Sequence, residues 1–129
     1  MHTAILCFGS NLPTETAGRH ITQAMRLMEA SATLVRTSDI YPSSSGYENL
    51  VTEMRTKLPY SALLALTKAT EAALGRTPEM KDAGIVPIDI DIVYFDGEAL
   101  RPADIATAYF KQGIASMHPI GCAKRANLS

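Results

Sequence analysis

The stretch Leu50–Leu58, which reads LVTEMRTKL, has the clearest strand pattern in the chain. Apolar and threonine side chains at its even positions alternate with mostly charged side chains at its odd positions, which is the two-residue period of a strand with one buried face. Strands of this kind are typical of antiparallel sheets. The stretch therefore predicts an antiparallel sheet that is packed against the rest of the protein on one side.

Helical and strand patterns alternate on both sides of this stretch. The predicted elements are, in chain order, a strand at Thr3–Phe8, a helix from Pro13, a strand at Thr33–Tyr41, the strand described above, a helix from Pro59 to Gly75, a strand at Ile85–Phe95 and a short last helix at Asp104–Gly113. The order β-α-β-β-α-β predicts an α+β fold of the ferredoxin-like type, in which two helices cover one face of an antiparallel sheet. The last helix is an addition at the C-terminal end.

Length and composition are those of one folded domain. The 129 residues suffice for a single core, and 47% hydrophobic with 19% charged residues is usual for a folded water-soluble protein. A formal net charge of -1 provides no basic surface for nucleic acid, and no apolar run is long enough to span a membrane. We therefore expect a cytoplasmic protein with one domain at 1–117 and a poorly ordered tail at 118–129, with neither nucleic acid nor membrane as a partner.

Two aspartates stand inside the last predicted strand. Asp89 and Asp91 are two positions apart, so their side chains share one face, with Cα atoms about 6.5–7 Å apart. Two carboxylates in this arrangement bind hard cations such as Mg²⁺ together with substrate phosphates. The alternative is a sheet rim whose outer face carries acids for solubility, and the pattern taken alone supports both interpretations equally.

Four short segments, in order along the chain, resemble the 6-hydroxymethyl-7,8-dihydropterin pyrophosphokinase family. They are Phe8–Leu12 (FGSNL), Tyr47–Leu50 (YENL), Glu71–Arg76 (EAALGR) and Gly84–Val93, where a glycine precedes the two aspartates. Each segment is weak by itself, but all four fall on matching secondary structure. The resemblance covers residues 3–98.

This resemblance implies a magnesium-dependent enzyme of folate biosynthesis that transfers diphosphate from ATP to the hydroxymethyl group of a reduced pterin. It implies that Asp89 and Asp91 hold two Mg²⁺ ions and that Arg76, a third catalytic residue, faces phosphate. The nucleotide-binding residues implied are Glu71, Arg76, Lys81 and Ile92, and the pterin-binding residues implied are Ser43, Tyr47 and Asn49. The structural alternatives are a solvated helix-end cation for Arg76, an exposed helix acid for Glu71 and a half-buried turn residue for Tyr47.

The chain departs from the family pattern at several positions. Ile85 and Val86 stand where the family has Pro-Arg, Pro78 where a second arginine is common, and Ala83 where a tryptophan closes over the pterin. The family's last ATP-binding segment also has no counterpart that we recognise. Three hypotheses therefore stand: a compact pyrophosphokinase, a catalytically silent relative that serves as a small ligand-binding or regulatory module, and an unrelated ferredoxin-like protein with acids on its surface. The sequence leaves a monomer and a homodimer both open.

Overall fold

A computed structural model describes residues 1–120 of the chain. The strands are β1 His2–Ser10, β2 Thr33–Thr37, β3 Tyr41–Pro42, β4 Glu48–Thr56, β5 Asp89–Phe95, β6 Glu98–Ala99 and β7 His118–Pro119. The helices are α1 Thr14–Met28, α2 Tyr60–Ala73, α3 Pro78–Asp82, α4 Pro102–Ile105 and α5 Ala108–Ser116. None of the helices in this part of the chain is long and apolar enough to cross a lipid bilayer.

All strand pairings are antiparallel, and the sheet order is β6-β5-β1-β4-β2-β7, with β3 also paired to β4. The four long strands thus lie in the order fourth, first, third, second, which fits the predicted ferredoxin-like arrangement. The predicted α+β class with an antiparallel sheet is confirmed. β1 lies at the centre and pairs with both β4 and β5, so it connects the two strands that carry the candidate site residues.

The two faces of the sheet are covered by different helices. On one face, α1 and α2 pack over the larger core, whose buried side chains are Ala4, Leu6, Phe8, Ile21, Ala24, Met28, Leu50, Met54, Leu63, Ile88, Ile90 and Ile92. On the other face, Phe110 of α5 packs with Cys7, Val51 and Val93 in a smaller cluster. The smaller cluster covers only part of its face, and the uncovered part contains the cavity described below.

The C-terminal region differs from the sequence prediction. The predicted helix at Asp104–Gly113 is two helices, because Pro102 begins α4 and the hydroxyl of Thr107 accepts a hydrogen bond from Phe110 N to start α5. Gly113, predicted as a helix end, lies inside α5 where the helix approaches β4 closely. His118 and Pro119, the first residues of the predicted tail, pair with β2, and residues 121–129 of that tail lie outside the described part of the chain.

Two further segments differ in detail. The predicted strand Thr33–Tyr41 is interrupted after Thr37, where Ser38 turns its side chain inward and its Oγ accepts a hydrogen bond of 2.9 Å from Val51 N. The predicted loop between Arg76 and Gly84 contains α3, which the side chain of Thr77 caps. Both cases depend on a polar side chain that bonds to the backbone.

Gly113→Ala should destabilise the protein. An added Cβ would lie 2.4 Å from Val51 Cγ2 and from the hydroxyl oxygen of Tyr41, so α5 would have to move away from the sheet. Overpacking costs about 1–3 kcal/mol, and the better helix propensity of alanine offsets up to about 1 kcal/mol of this. We expect the free energy of unfolding, measured in urea, to fall by about 1–2 kcal/mol.

Gly18→Ala is the matched control. Gly18 also lies inside a helix, but an added Cβ there meets no atom within 4 Å. This variant should be as stable as the wild type or more stable by up to about 1 kcal/mol. Equal stability of the two alanine variants would contradict the close packing of α5 on β4.

Candidate active site

The two aspartates of β5 lie on the face of the sheet opposite α1 and α2. Strand alternation directs Ile90 into the larger core and leaves Asp89 and Asp91 on the other side, with 37% and 22% of their side chains exposed. The predicted shared face of the two carboxylates is therefore present. The two carboxylates line a cavity whose wall includes Asp104 of α4 and Tyr109 of α5.

Gly9 of β1 lies between two candidate residues. In the strand register it is paired with Asn49 of β4 on one side and with Asp89 of β5 on the other. Neighbouring strands are about 4.8 Å apart, so the Cα atoms of Asn49 and Asp89 are separated by about 10 Å, with no side chain between them. The glycine therefore forms an open floor between an amide and a carboxylate.

This floor belongs to a cavity of about 210 Å³, which we call the acidic cavity. It is lined by Cys7, Phe8, Gly9, Ser45, Tyr47, Asn49, Asp89, Asp91, Arg101, Asp104 and Tyr109. Two of the three residues expected to bind pterin, Tyr47 and Asn49, thus share a cavity with the aspartate pair. Ser43 does not line it: its hydroxyl bonds to Ser45 Oγ at 2.9 Å, and Ser45 is the serine that reaches the cavity.

The amide of Asn49 is held in one orientation. Asn49 is 5% exposed, and its Nδ2 donates to the carbonyl oxygens of Tyr41 and Tyr47 at 3.3 Å each. Since these bonds use the donors of the amide, its Oδ1 is the atom available to a ligand. The side chain of Asn49 therefore presents a hydrogen-bond acceptor to the cavity.

Glu71 and Arg76 hold the start of β5 in place. Arg76 Nη1 donates to Glu71 Oε2 and to Asp89 Oδ1, both at 3.0 Å, and to the carbonyl oxygen of Ile88 at 3.1 Å. Glu71 Oε2 also accepts a hydrogen bond of 2.8 Å from Ile90 N. At 4% exposure, Glu71 is not an exposed helix acid, and its carboxylate fixes the backbone between the two aspartates.

A second cavity, of about 270 Å³, lies beside this ion pair. We call it the basic cavity, because Lys68, Arg76 and Lys81 line it together with Glu71, Ala72, Thr77 and Pro78. Three of the four residues expected to bind nucleotide are thus together. The fourth, Ile92, is not with them: its side chain is 4% exposed and lies in the larger core under α1 and α2.

The Arg76–Asp89 ion pair connects the two cavities, because Arg76 lines the basic one and Asp89 lines the acidic one. The loop before β5 is tied to the end of β1 in a similar way. Asn11 Nδ2 donates to the carbonyl oxygen of Gly84 at 2.7 Å, and Asn11 Oδ1 accepts from Val86 N at 2.7 Å. Asn11, which follows directly after β1, therefore positions the chain that leads into the aspartates.

Asp91 has an ion-pair partner of its own. Arg101 Nη1 lies 3.6 Å from Asp91 Oδ1, and Arg101 Nε bonds to the carboxylate of Asp104. Burial and then the neighbouring carboxyl of Asp89 raise the pKa of Asp91 to about 7, although the charge of Arg101 lowers it. Near neutral pH this carboxyl is therefore divided between its protonated and ionised forms.

The donor set fits a hard cation. Asp89 and Asp91 supply carboxylate oxygens, while burial raises the pKa of the Cys7 thiol to about 12, so this sulfur is protonated at neutral pH. Among residues 1–120 no group of three or more His, Cys, Asp or Glu side chains surrounds a common point. Two carboxylates that leave the other positions to water and substrate phosphates are the usual set for Mg²⁺.

Cation binding at the aspartate pair should depend on pH. A cation must displace the proton from Asp91, so affinity should be low below the pKa of about 7, rise through neutrality and level off above it. Between pH 6 and pH 8 the ionised fraction increases about tenfold, and the affinity for Mn²⁺, followed by its electron paramagnetic resonance, should increase similarly. An equal affinity for Mn²⁺ at both pH values would contradict this prediction.

Among the lining residues that sequence reasoning missed are Arg101, Asp104 and Tyr109. They belong to or flank the short helices α4 and α5, whose positions were predicted incorrectly. Arg101 and Asp104 are three positions apart, which is an ion-pair spacing on one helical turn and was the available signal. Their approach to Asp91 depends on how the chain turns back after β6.

The chain is similar to known proteins over most of its length. The family model described as 7,8-dihydro-6-hydroxymethylpterin-pyrophosphokinase matches residues 5–119, which extends beyond the resemblance at residues 3–98. The 2-amino-4-hydroxy-6-hydroxymethyldihydropteridine pyrophosphokinase of Bacillus subtilis (strain 168) is 34% identical over 107 residues, with 76% of this chain and 62% of the relative covered. The chain thus spans less than two thirds of the length of this curated relative.

Similar solved structures support the fold. One is an HPPK-DHPS protein in complex with substrates, with a TM-score of 0.56, 14% identity, and 74% of this chain and 28% of the other covered. Another is a Plasmodium falciparum HPPK-DHPS triple mutant, also with a TM-score of 0.56 and 14% identity, with 74% and 29% covered. From the family match over residues 5–119, the chain belongs to the 7,8-dihydro-6-hydroxymethylpterin-pyrophosphokinase family.

Proposed function

We propose that this protein transfers diphosphate from ATP to 6-hydroxymethyl-7,8-dihydropterin in folate biosynthesis, with magnesium as the cofactor. The observation that carries the proposal is the position of Asp89 and Asp91 in one cavity with Tyr47 and Asn49, in a chain of this family. An acidic pair on a sheet rim, placed there for solubility, would not need a neighbouring buried amide that is held in one orientation. The unrelated ferredoxin-like alternative is set aside by the family match.

The acidic cavity suits the pterin. The Oδ1 atom of Asn49 accepts a hydrogen bond from an N–H group on the edge of the heterocycle, and the ring of Tyr47 forms a wall against its flat face. The backbone of Gly9 leaves space for the ring between Asn49 and Asp89. Ser45 takes the place that the sequence suggested for Ser43.

The basic cavity suits the nucleotide. Arg76 and Lys81 supply positive charge for phosphate, and Glu71 holds Arg76 in position from a buried site. Asp89 and Asp91, which line the acidic cavity, would hold the two Mg²⁺ ions, and Asp89 is paired with Arg76 of the basic cavity. These ions neutralise phosphate charge during transfer, as is general for phosphoryl chemistry.

In the proposed reaction the hydroxymethyl oxygen forms a bond to the β-phosphorus of ATP. The bond between that phosphorus and the oxygen bridging to the α-phosphorus breaks, AMP leaves with the bridging oxygen, and the hydroxyl proton passes to solvent. The protein's side chains position the two substrates and balance charge, and they form no covalent bond. The proposal further includes a cytoplasmic protein with one domain at 1–117 that acts as a monomer or a homodimer.

The test is release of AMP from ATP in the presence of 6-hydroxymethyl-7,8-dihydropterin and Mg²⁺. AMP formation that requires both the pterin and the metal supports the proposal. In Gly9→Ala the added Cβ would lie 3.5 Å from Tyr47 Cδ2, its nearest neighbour, which is an ordinary contact distance. This variant should therefore keep its stability, but the methyl group on the cavity floor should raise the KM for the pterin. Binding of ATP and pterin without AMP release would assign the alternative function, a silent ligand-binding module, and absence of any binding would refute both.

A further inference from the structure

Arg101 stands out among the residues of the acidic cavity. It is the one cationic side chain among the described residues that line this cavity, next to the carboxylates of Asp89, Asp91 and Asp104. Arg101 immediately precedes α4, so it comes from a different part of the chain than α2 and β5, which carry Glu71, Asp89 and Asp91. The side chain is 47% exposed, so it is open to a ligand in the cavity.

The two contacts of Arg101 differ in kind. Its Nε bonds directly to the carboxylate of Asp104, three residues further along, whereas its Nη1 is 3.6 Å from Asp91 Oδ1, beyond hydrogen-bond distance. One side of the guanidinium is therefore anchored, and the other faces the aspartate pair without a close contact. An anchored planar group of this kind offers its remaining donors in a fixed direction, which suits phosphate oxygens.

Stability does not account for this arrangement. Exposed ion pairs contribute little to folding, and the Arg101 side chain is 47% exposed. Arg36 and Glu53 form a comparable pair at 2.6 Å, with Arg36 43% exposed, but they lie on β2 and β4 and line no cavity with the aspartates. Unlike Arg36, Arg101 faces the aspartates that would hold the cation.

We propose that Arg101 is a phosphate-binding residue of this site, aimed by Asp104. Arg76 reaches Asp89 from the basic cavity and Arg101 reaches Asp91 from the acidic cavity, so each carboxylate has an arginine of its own. When a cation neutralises Asp91, the Nη atoms of Arg101 are released from that charge and donate to the diphosphate. This inference rests on the function proposed above and adds a residue that the sequence did not suggest.

The test is calorimetric binding of α,β-methylene-ATP in the presence of Mg²⁺ by the full chain. Arg101→Gln should weaken this affinity about 10- to 100-fold, since a hydrogen bond to a charged group is lost. Arg101→Lys should recover part of the loss, and Asp104→Asn should cause a smaller loss than Arg101→Gln. The matched control, Arg36→Gln, should bind as the wild type does.

One further measurement separates the possible outcomes. The urea midpoint of Arg101→Gln should equal that of the wild type, because a structural role would lower it. Wild-type affinity in Arg101→Gln, or weakening that accompanies a lowered midpoint, overturns the assignment of Arg101 alone. Failure of the wild-type protein to bind the nucleotide overturns both this assignment and the proposed function.

Discussion

Asp89→Asn and Asp91→Asn should each abolish magnesium-dependent binding of a non-hydrolysable ATP analogue. Each substitution replaces a charged oxygen donor with a neutral amide, so the site loses one of the two carboxylates that attract a hard cation. We expect the affinity measured by calorimetry with Mg²⁺ to fall at least about 100-fold, which is the scale of several kcal/mol that a metal supplies at a phosphoryl site. Each variant would then bind the ATP analogue with the same affinity in the presence and in the absence of Mg²⁺.

The fold should survive both changes. Asp91 is held near Asp89 against repulsion and desolvation, which raise its pKa, so loss of its charge at pH 8 removes an unfavourable contact. The urea midpoint of Asp91→Asn should accordingly equal or exceed that of the wild type. Asp39→Asn is the control, since 94% of this side chain is exposed and it lies away from both cavities. Retained magnesium-dependent binding in both site variants would remove the metal site from the proposal.

Glu71→Ala should produce the largest loss of stability. The substitution removes the acceptor that lies 2.8 Å from Ile90 N. It also removes one of the two carboxylates that pair with Arg76. Removing one partner of a buried ion pair costs about 3–5 kcal/mol, and because Arg76 is 26% exposed and keeps Asp89, we expect about 2–3 kcal/mol in the free energy of unfolding. Urea unfolding followed by circular dichroism measures this difference.

Two other variants test whether the buried carboxylate of Glu71 is the cause of this loss of stability. Glu71→Gln keeps an acceptor for Ile90 N and should lose less than Glu71→Ala. Glu79→Ala, in the exposed helix α3, should change the free energy of unfolding by less than about 0.5 kcal/mol. Should Glu71→Ala unfold at the wild-type midpoint, the buried carboxylate would have no role in holding β5.

Glu71 also connects the stability of the protein with its proposed chemistry. Ile90 lies between the two aspartates, and Arg76 contacts the first of them, so both contacts of this buried acid orient the cation ligands. The sequence suggested that Glu71 either faces nucleotide or is an exposed helix acid. Its position under the basic cavity, 4% exposed, makes it a positioning residue.

The amino-acid sequence by itself was sufficient for those features that one element determines. Strand alternation placed Asp89 and Asp91 on one face, and the ordered helix and strand patterns predicted the antiparallel α+β fold, because side-chain direction follows from the local backbone geometry. The family segments likewise indicated Tyr47 and Asn49, which share the acidic cavity with the aspartates. The first inference uses a single strand, the second uses the order of elements along the chain, and the third uses short segments that resemble a family.

The tertiary structure alone decided which residues from separate elements meet. It buried Glu71 against β5, brought Arg101 and Asp104 to Asp91, and placed Ile92 in the core away from the nucleotide residues. Gly113 is the same kind of case, since its lack of a side chain matters only where α5 contacts β4. Such contacts depend on the packing of segments that are distant along the chain, and no local period in the sequence encodes that packing.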